Sequence, residues 1–301
     1  MTRRKHILCA RLLSVLAVQV LLSPVVVAQE KTVLQVAHTA SRDPYFIKQE
    51  RYFVELIKLA LTESEENYST RSVLLPPHND SRSVNFIKHN TYSIHWMNTS
   101  DYLEESLLPI RIPLYKGLIG WRAFFIHKSQ VSRFEKIRTL GELKREVAVQ
   151  GHDWPDTTIL RKNGFTVETG ADFENLFSML ERGRADFFPR SILEIWNEQD
   201  AHSSMDIVVD KNTVMHYPAA FYFFVHKDNV RLRNAIEKGL NKAIANGSFD
   251  EMFYRYFGEL LLRANLQEVR VFEMLNPELP LRTPLERSEL WFSTDELTQK
   301  K

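Results

Sequence analysis

From Lys31 onward short apolar runs alternate with amphipathic stretches, and this alternation constrains the fold more than any other feature of the chain. Buried strands that feed one-sided helices are the pattern of an α/β sheet with helical crossovers. Residues 33–37 (VLQVA) read as the first strand. Residues 46–61 follow as a helix with Tyr52, Phe53, Leu56, Ile57 and Ala60 on one face. Residues 72–75 and 92–97 read as further strands, with Asp80 capping a short helix between them that runs to Lys88.

The middle of the chain repeats the alternation. Thr139 and Glu142 form a capping box, so a helix starts there. Residues 147–150 are a strand, Pro155 suits the first turn of the next helix, and Asn163-Gly164 ends it. After a strand at residues 165–168, Asp172 caps a helix that carries Phe173, Leu176, Phe177 and Leu180 on one stripe and closes at Gly183. Residues 186–188 form a buried strand, with Pro189-Arg190-Ser191 at its C-terminal end, where ligands gather in open α/β sheets.

Two segments match, FFIHK at 124–128 and FFVHK at 223–227, and they bracket a region with its own strand–helix alternation. The bracketing predicts a second lobe inserted into the first. A helix over residues 230–246 stops at Gly247, and Ser248 with Glu251 reads as a second capping box, after which Phe253, Tyr256 and Phe257 continue the apolar face. The proline-rich tail from Asn276 to Phe292 reads as extended and surface-packed.

Residues 1–28 stand apart. Arg3, Arg4, Lys5 and Arg11 precede the apolar run LLSVLAVQVLL, and Val26-Val27-Ala28 supplies small residues for cleavage, so export and cleavage after Ala28 are expected. The one cysteine, Cys9, lies in that segment, which removes disulfides and thiol chemistry from the mature chain. Taking the four basic residues of 1–28 from the 39 Lys+Arg leaves 35 against 38 Asp+Glu, a formal net of −3, with no electrostatic footprint for nucleic acid.

No HExxH, cysteine-based zinc spacing, Walker loop, dinucleotide-binding glycine pattern or Gly-x-Ser-x-Gly elbow occurs, so no metal and no cofactor is expected. His127 and His226, on the matching strands, read as structural. What remains is a set of polar and aromatic residues at strand ends. In GHDWPDTT (151–158) a strand gives way to a helix whose exposed N–H groups suit an anion, with His152 or Thr157 adding a donor; the same residues also suit an ordinary helix start. Arg122 and Arg190 can each pair a ligand carboxylate or form an internal salt bridge. Tyr45, Trp96 and Trp154 can stack on a ligand or belong to the core.

Taken together, the export segment, the strand–helix order, LERGRADFF and the run AIEKGLNKAIANGSFDEMFYRYFG resemble the periplasmic solute-binding proteins of the polar amino-acid type, family 3. The resemblance covers about residues 33–258 and implies a two-lobed α/β clamp, each lobe a sheet flanked by helices, with two crossover segments as its hinge. It implies a first lobe of 29–116 plus 217–266 and a second of 117–216; the tail over 267–301, which lies beyond the resemblance, is expected to pack on the first. The resemblance also implies a non-catalytic periplasmic monomer whose partners are a small-molecule ligand and an inner-membrane ABC permease. The same fold also serves membrane sensors, and a dehydratase for which Glu104, Glu105 and His152 are the candidate acids.

The family's carboxylate-binding arginine falls where this chain has TSDYLEES, with Asp101, Glu104 and Glu105. Its ammonium-binding aspartate falls on Ser191, beside Arg190. These departures point to a small organic anion held by Arg122, Arg190, Ser191 and the helix start at Asp153, Trp154 and Thr157, with Trp96 and Tyr45 as stacking surfaces.

Overall fold

The computed structural model describes residues 32–42, 44–76 and 78–297. The expected export segment, Cys9 included, lies outside them, and so does the side chain of Tyr45. No helix among the described residues is long and apolar enough to cross a membrane.

Strands β1 (Leu34–Ala40), β2 (Tyr68–Leu74) and β3 (Ile94–Asn98) alternate with helices α1 (Pro44–Glu63) and α2 (Asp80–Lys88). After α3 (Asp101–Ser106) and β4 (Leu108–Ile110) the chain passes to β5 (Trp121–His127). Two one-turn helices, α4 (Val131–Phe134) and α5 (Leu140–Leu143), lead to β6 (Val147–Gly151), α6 (Pro155–Lys162) and β7 (Thr166–Gly170). Then come α7 (Phe173–Glu181), β8 (Phe187–Ser191), α8 (Ile195–Ala201), β9 (Ile207–His216) and β10 (Phe221–Val225). Helices α9 (Val230–Ala245) and α10 (Ser248–Ala264) precede β11 (Arg270–Glu273).

These strands make two sheets. The first has the order β2-β1-β3-β10-β4 and the second β11-β9-β5-β8-β6-β7. The matching segments FFIHK and FFVHK occupy equivalent roles. The two phenylalanines of each lie on an interior strand, β5 or β10, that runs antiparallel to both of its neighbours, while His226, expected on the strand, follows the end of β10.

The predicted α1 stripe is the heart of the first core, since Tyr52, Phe53, Leu56, Ile57 and Ala60 are all buried. Helix α9 lies so close to it that a Cβ on Gly239 would overlap the Ala60 backbone. The second sheet buries Phe124, Phe125, Phe134, Phe177, Phe187 and Phe188, packed largely edge to face. The Thr139–Glu142 capping box forms as expected, and Asp172 accepts from the Asn175 N–H at the start of α7.

Four expectations need correction. Asn79, not Asp80, caps α2, its side chain accepting from the Arg82 N–H. The second capping box does not form: Gly247, at φ +84°, precedes α10, and Ser248 instead donates to the Asn246 side chain. Strand β8 does not stop before Pro189 but runs through Ser191, pairing Arg122 with Ser191 and Phe124 with Pro189. The tail does not simply lie on the first sheet's side, because β11 joins the edge of the second sheet, parallel to β9.

Three connections therefore join the two halves, at 111–120, 217–220 and 265–269. The first two touch: the Tyr217 N–H donates to the Gly120 carbonyl, and a Cβ on Gly120 would overlap the Tyr217 carbonyl. The tail returns to the first of them. The Phe292 N–H donates to the Lys116 carbonyl, the Trp291 ring covers Gly117, and buried Lys116 pairs with Asp250 at 3.0 Å and Glu296 at 3.1 Å.

Candidate functional site

A cleft of about 790 Å³ opens between the two sheets. Its first wall is Asp80 and Ser81 at the start of α2 together with residues 98–103, where β3 turns into α3. Its second wall is Arg122 and residues 152–156, with Thr158, Ile159 and Lys162 on α6. Tyr217, Ala219 and Ala220 of a connection form its back, and residues 276–279 of the tail close one side.

The second wall is built on a helix start. Gly151 lets the Trp154 indole fold back over the end of β6, space that a Cβ would take. Pro155 occupies the first helical position, and the Thr157 hydroxyl donates to the Gly151 carbonyl at 2.6 Å. Asp156, in the first turn, places a carboxylate where the helix dipole favours one. That carboxylate pairs with Arg122 Nη2 at 2.7 Å and accepts from the Tyr217 hydroxyl. Burial works against the charge on Arg122, but Asp156, Tyr217 and Glu194 outweigh it and raise the arginine above its usual range. Burial likewise pushes the Tyr217 hydroxyl well up.

Arg190 sits behind this wall. It makes a bidentate contact with Glu198, Nε to Oε2 at 2.8 Å and Nη2 to Oε1 at 2.6 Å, and a further pair with Glu194 at 3.1 Å. Its guanidinium is enclosed by the rings of Trp154, Phe173 and Phe188, 4.8–5.4 Å from their centroids. Burial opposes its charge, yet Glu194 and Glu198 together raise it.

The structure thus brings Arg122, Asp153 and Trp154 to the cleft, and not Arg190, Ser191, Thr157 or Trp96. Arg190 is held by Glu198 and Glu194 behind Trp154. Ser191 is fully buried beside Leu118 and Leu193. Thr157 is turned inward to Gly151, and Trp96 stacks on Phe53 in the first core with centroids 4.6 Å apart. Of the candidate acids, Glu104 is tied to Arg111 and Thr99, Glu105 does not line the cleft, and His152 is exposed at its rim.

Sequence reasoning missed Asp156, Tyr217 and the tail wall. An acid directly after the helix-starting Pro155 was a usable signal for the first; nothing local marks the other two. Of the charged lining residues, Arg122 is paired with Asp156 and Lys162 with Glu278. Asp80, Asp101 and Asp153 carry no arginine or lysine partner among the described residues, so the lining has an excess of negative charge. No cluster of His, Cys, Asp and Glu that could hold a metal is present among the described residues.

The chain is similar in structure to the probable amino-acid ABC transporter extracellular-binding protein ytmK from Bacillus subtilis, with TM-score 0.56 and 20% identity over 75% of this chain and 99% of that one. The fold is that of the two-lobed periplasmic binding proteins. A high-specificity arginine-binding periplasmic protein from Salmonella typhimurium is also similar, with TM-score 0.49 and 15% identity over 75% of this chain and 100% of its own. So is an ancestral arginine-binding protein bound to arginine, with TM-score 0.49 and 16% identity over 75% and 98%. No protein-family model matches the chain, and no curated protein does. In this two-lobed fold the cleft between β3–α3 and β6–α6 is the gap between the lobes.

Proposed function

We propose that the chain is an exported, non-catalytic solute-binding protein that closes its two lobes on a small polar solute and serves an inner-membrane ABC permease. The observation that carries this reading is the cleft itself, about 790 Å³ and walled by both lobes and the tail. A solute touching both walls binds the closed form better than the open one, and that difference in affinity is what drives closure.

The charge of the solute follows from the pairing. Each arginine expected to hold an anion already has a carboxylate, Asp156 for Arg122 and Glu198 for Arg190. Turning Arg190 to a ligand would leave Glu198 buried without its cation, and turning Arg122 to one would take the cation from Asp156. Asp80, Asp101 and Asp153 face the same space without such partners. The solute we propose therefore carries a positive group, in place of the organic anion expected from the sequence.

The test is a thermal-shift screen against amino acids, polyamines, sugars and organic acids. A ligand at a hundred times its dissociation constant adds about 2.7 kcal/mol to stability, a clear rise in Tm. Amine-bearing solutes should give that rise. A response to organic acids alone would overturn the charge assignment, and silence across all four classes would overturn the clamp.

A further inference from the structure

After β11 the tail crosses back from the second lobe to the first, and it does so along one side of the cleft rather than at its back. On the second-lobe side β11 holds it in the sheet. Just beyond, Asn163 at the end of α6 grips Leu275: its Nδ2 donates to the Leu275 carbonyl at 2.7 Å, and its Oδ1 accepts from the Leu275 N–H at 3.3 Å. On the first-lobe side Leu279 packs on the core that holds Tyr92, Met97 and Tyr222, and Pro280 is buried. The buried Thr283 hydroxyl lies beside that of Tyr222 on β10, and Arg287 Nη2 donates to the Asn241 side chain on α9 at 2.9 Å.

Residues 276–278 make the step between these two sets of anchors, and they are drawn into a turn. The Asn276 side chain accepts from the Glu278 N–H at 3.0 Å and donates to the Pro218 carbonyl at 2.9 Å. Its backbone carbonyl accepts from the Leu279 N–H at 3.2 Å, and Glu278 pairs with Lys162 on α6. The connections at 111–120 and 217–220 touch one another, and the second of them forms the back of the cleft, so the lobes can turn about that pair. A chain fixed to both lobes beside the gap limits that turn, because each residue reaches no farther than about 3.3–3.6 Å. Wide opening must part Glu278 from Lys162 and unmake the Asn276 turn, or lift Leu279 and Thr283 off the first lobe.

We propose that residues 276–278 are a strap that limits how far the two lobes open in the unliganded protein. The inference rests on the reading of the cleft as a closing clamp and names the restraint on its motion.

The experiment measures the spacing of the lobes without any solute, by electron double resonance between spin labels at Glu105→Cys on α3 and Ala171→Cys after β7. Both positions are exposed and outside the cleft lining, and the chain from Gln29 has no cysteine of its own. Flexible Gly-Ser inserts of four and eight residues are placed between Pro277 and Glu278, exposed positions at which a loop tolerates insertion. Four residues add up to about 13 Å of chain, so the mean distance should lengthen by about 5 Å or more and its spread should widen. The longer insert should add little, the strap being already slack. A distance unchanged by both inserts overturns the proposal. If that unchanged distribution is broad, the lobes move freely past the tail and the clamp reading stands; if it is narrow, other contacts fix the lobes and the clamp reading falls with the strap.

Discussion

The two walls of the cleft are made on different terms. The second-lobe wall is committed before any solute arrives: Arg122 is paired with Asp156, which also accepts from the Tyr217 hydroxyl, and Arg190 behind them is locked to Glu198. The first-lobe wall is open, with Asp80 and Asp101 exposed and Tyr102 more than half exposed at 58%. A wall whose charges are already paired fixes shape and excludes; a wall whose charges are free selects. Discrimination between solutes should therefore reside in the first lobe, and stability in the second.

Removing a charge from the committed wall is the strongest way to break this contrast. Arg190→Ala leaves Glu198, whose side chain is only 7% exposed, buried without its cation. Breaking such a pair costs about 3–5 kcal/mol, and the loss of an arginine packed among three rings adds to it. Denaturant unfolding should show a large fall in midpoint. A variant as stable as wild type would mean that Arg190 is free to serve a ligand after all.

Asp156→Asn probes the front of the same wall and should cost less, about 2–3 kcal/mol by the same logic, because asparagine still accepts from the Tyr217 hydroxyl while Arg122 loses its counter-charge. Urea unfolding measures the loss. If instead stability is unchanged and solute affinity collapses, the wall selects and the contrast fails.

The first lobe has its own weak point, set behind its wall. His95, on β3, lies between the rings of Trp96 and His78, and its Nδ1 is sealed from solvent without a partner. Burial, with a smaller contribution from His78, lowers its pKa from 6.5 to about 3. The unfolded chain therefore binds a proton more readily than the folded one between those values, so the stability owed to neutral His95 is full above pH 6.5 and is lost as pH falls toward 3. Partial access of water to the ring limits the loss to roughly 2 kcal/mol. Stability curves against pH for wild type and His95→Gln should diverge across that window; parallel curves would remove His95 as the cause.

Much of the fold is legible because its determinants are local. The α1 stripe, the Thr139–Glu142 box, the Asp172 cap and the Gly247 stop each rest on residues within a turn or two of one another. The site is less legible because its determinants are not. Pro189 reads as a strand end, yet β8 continues through it, its register with β5 and the Gln150 side chain, which donates to the Pro189 carbonyl, holding it in place. Arg190 has the composition of a ligand residue, and only the way α8 folds back brings Glu194 and Glu198 to it. Tyr217 and residues 276–279 reach the cleft through the path of the connections, which no short-range pattern encodes.

The smallest expected effect is also the one that most sharpens the contrast. Asp101 lies in the first turn of α3, where Ser100 already caps the helix by accepting from the Leu103 N–H. Its carboxylate is exposed, lines the cleft and has no cationic partner among the described residues. Asp101→Asn removes a charge without removing a contact, so the unfolding midpoint should stay within experimental scatter, as surface changes of this kind do. Affinity for an amine-bearing solute should still fall a few-fold, and the deficit should shrink as salt is raised, because an exposed charge acts through solvent and is screened. Calorimetric titration at two ionic strengths reads both quantities. An affinity that falls equally at both would show that Asp101 touches the solute directly, and an affinity that rises would show that the open wall repels what the cleft binds, returning the solute to the anionic class.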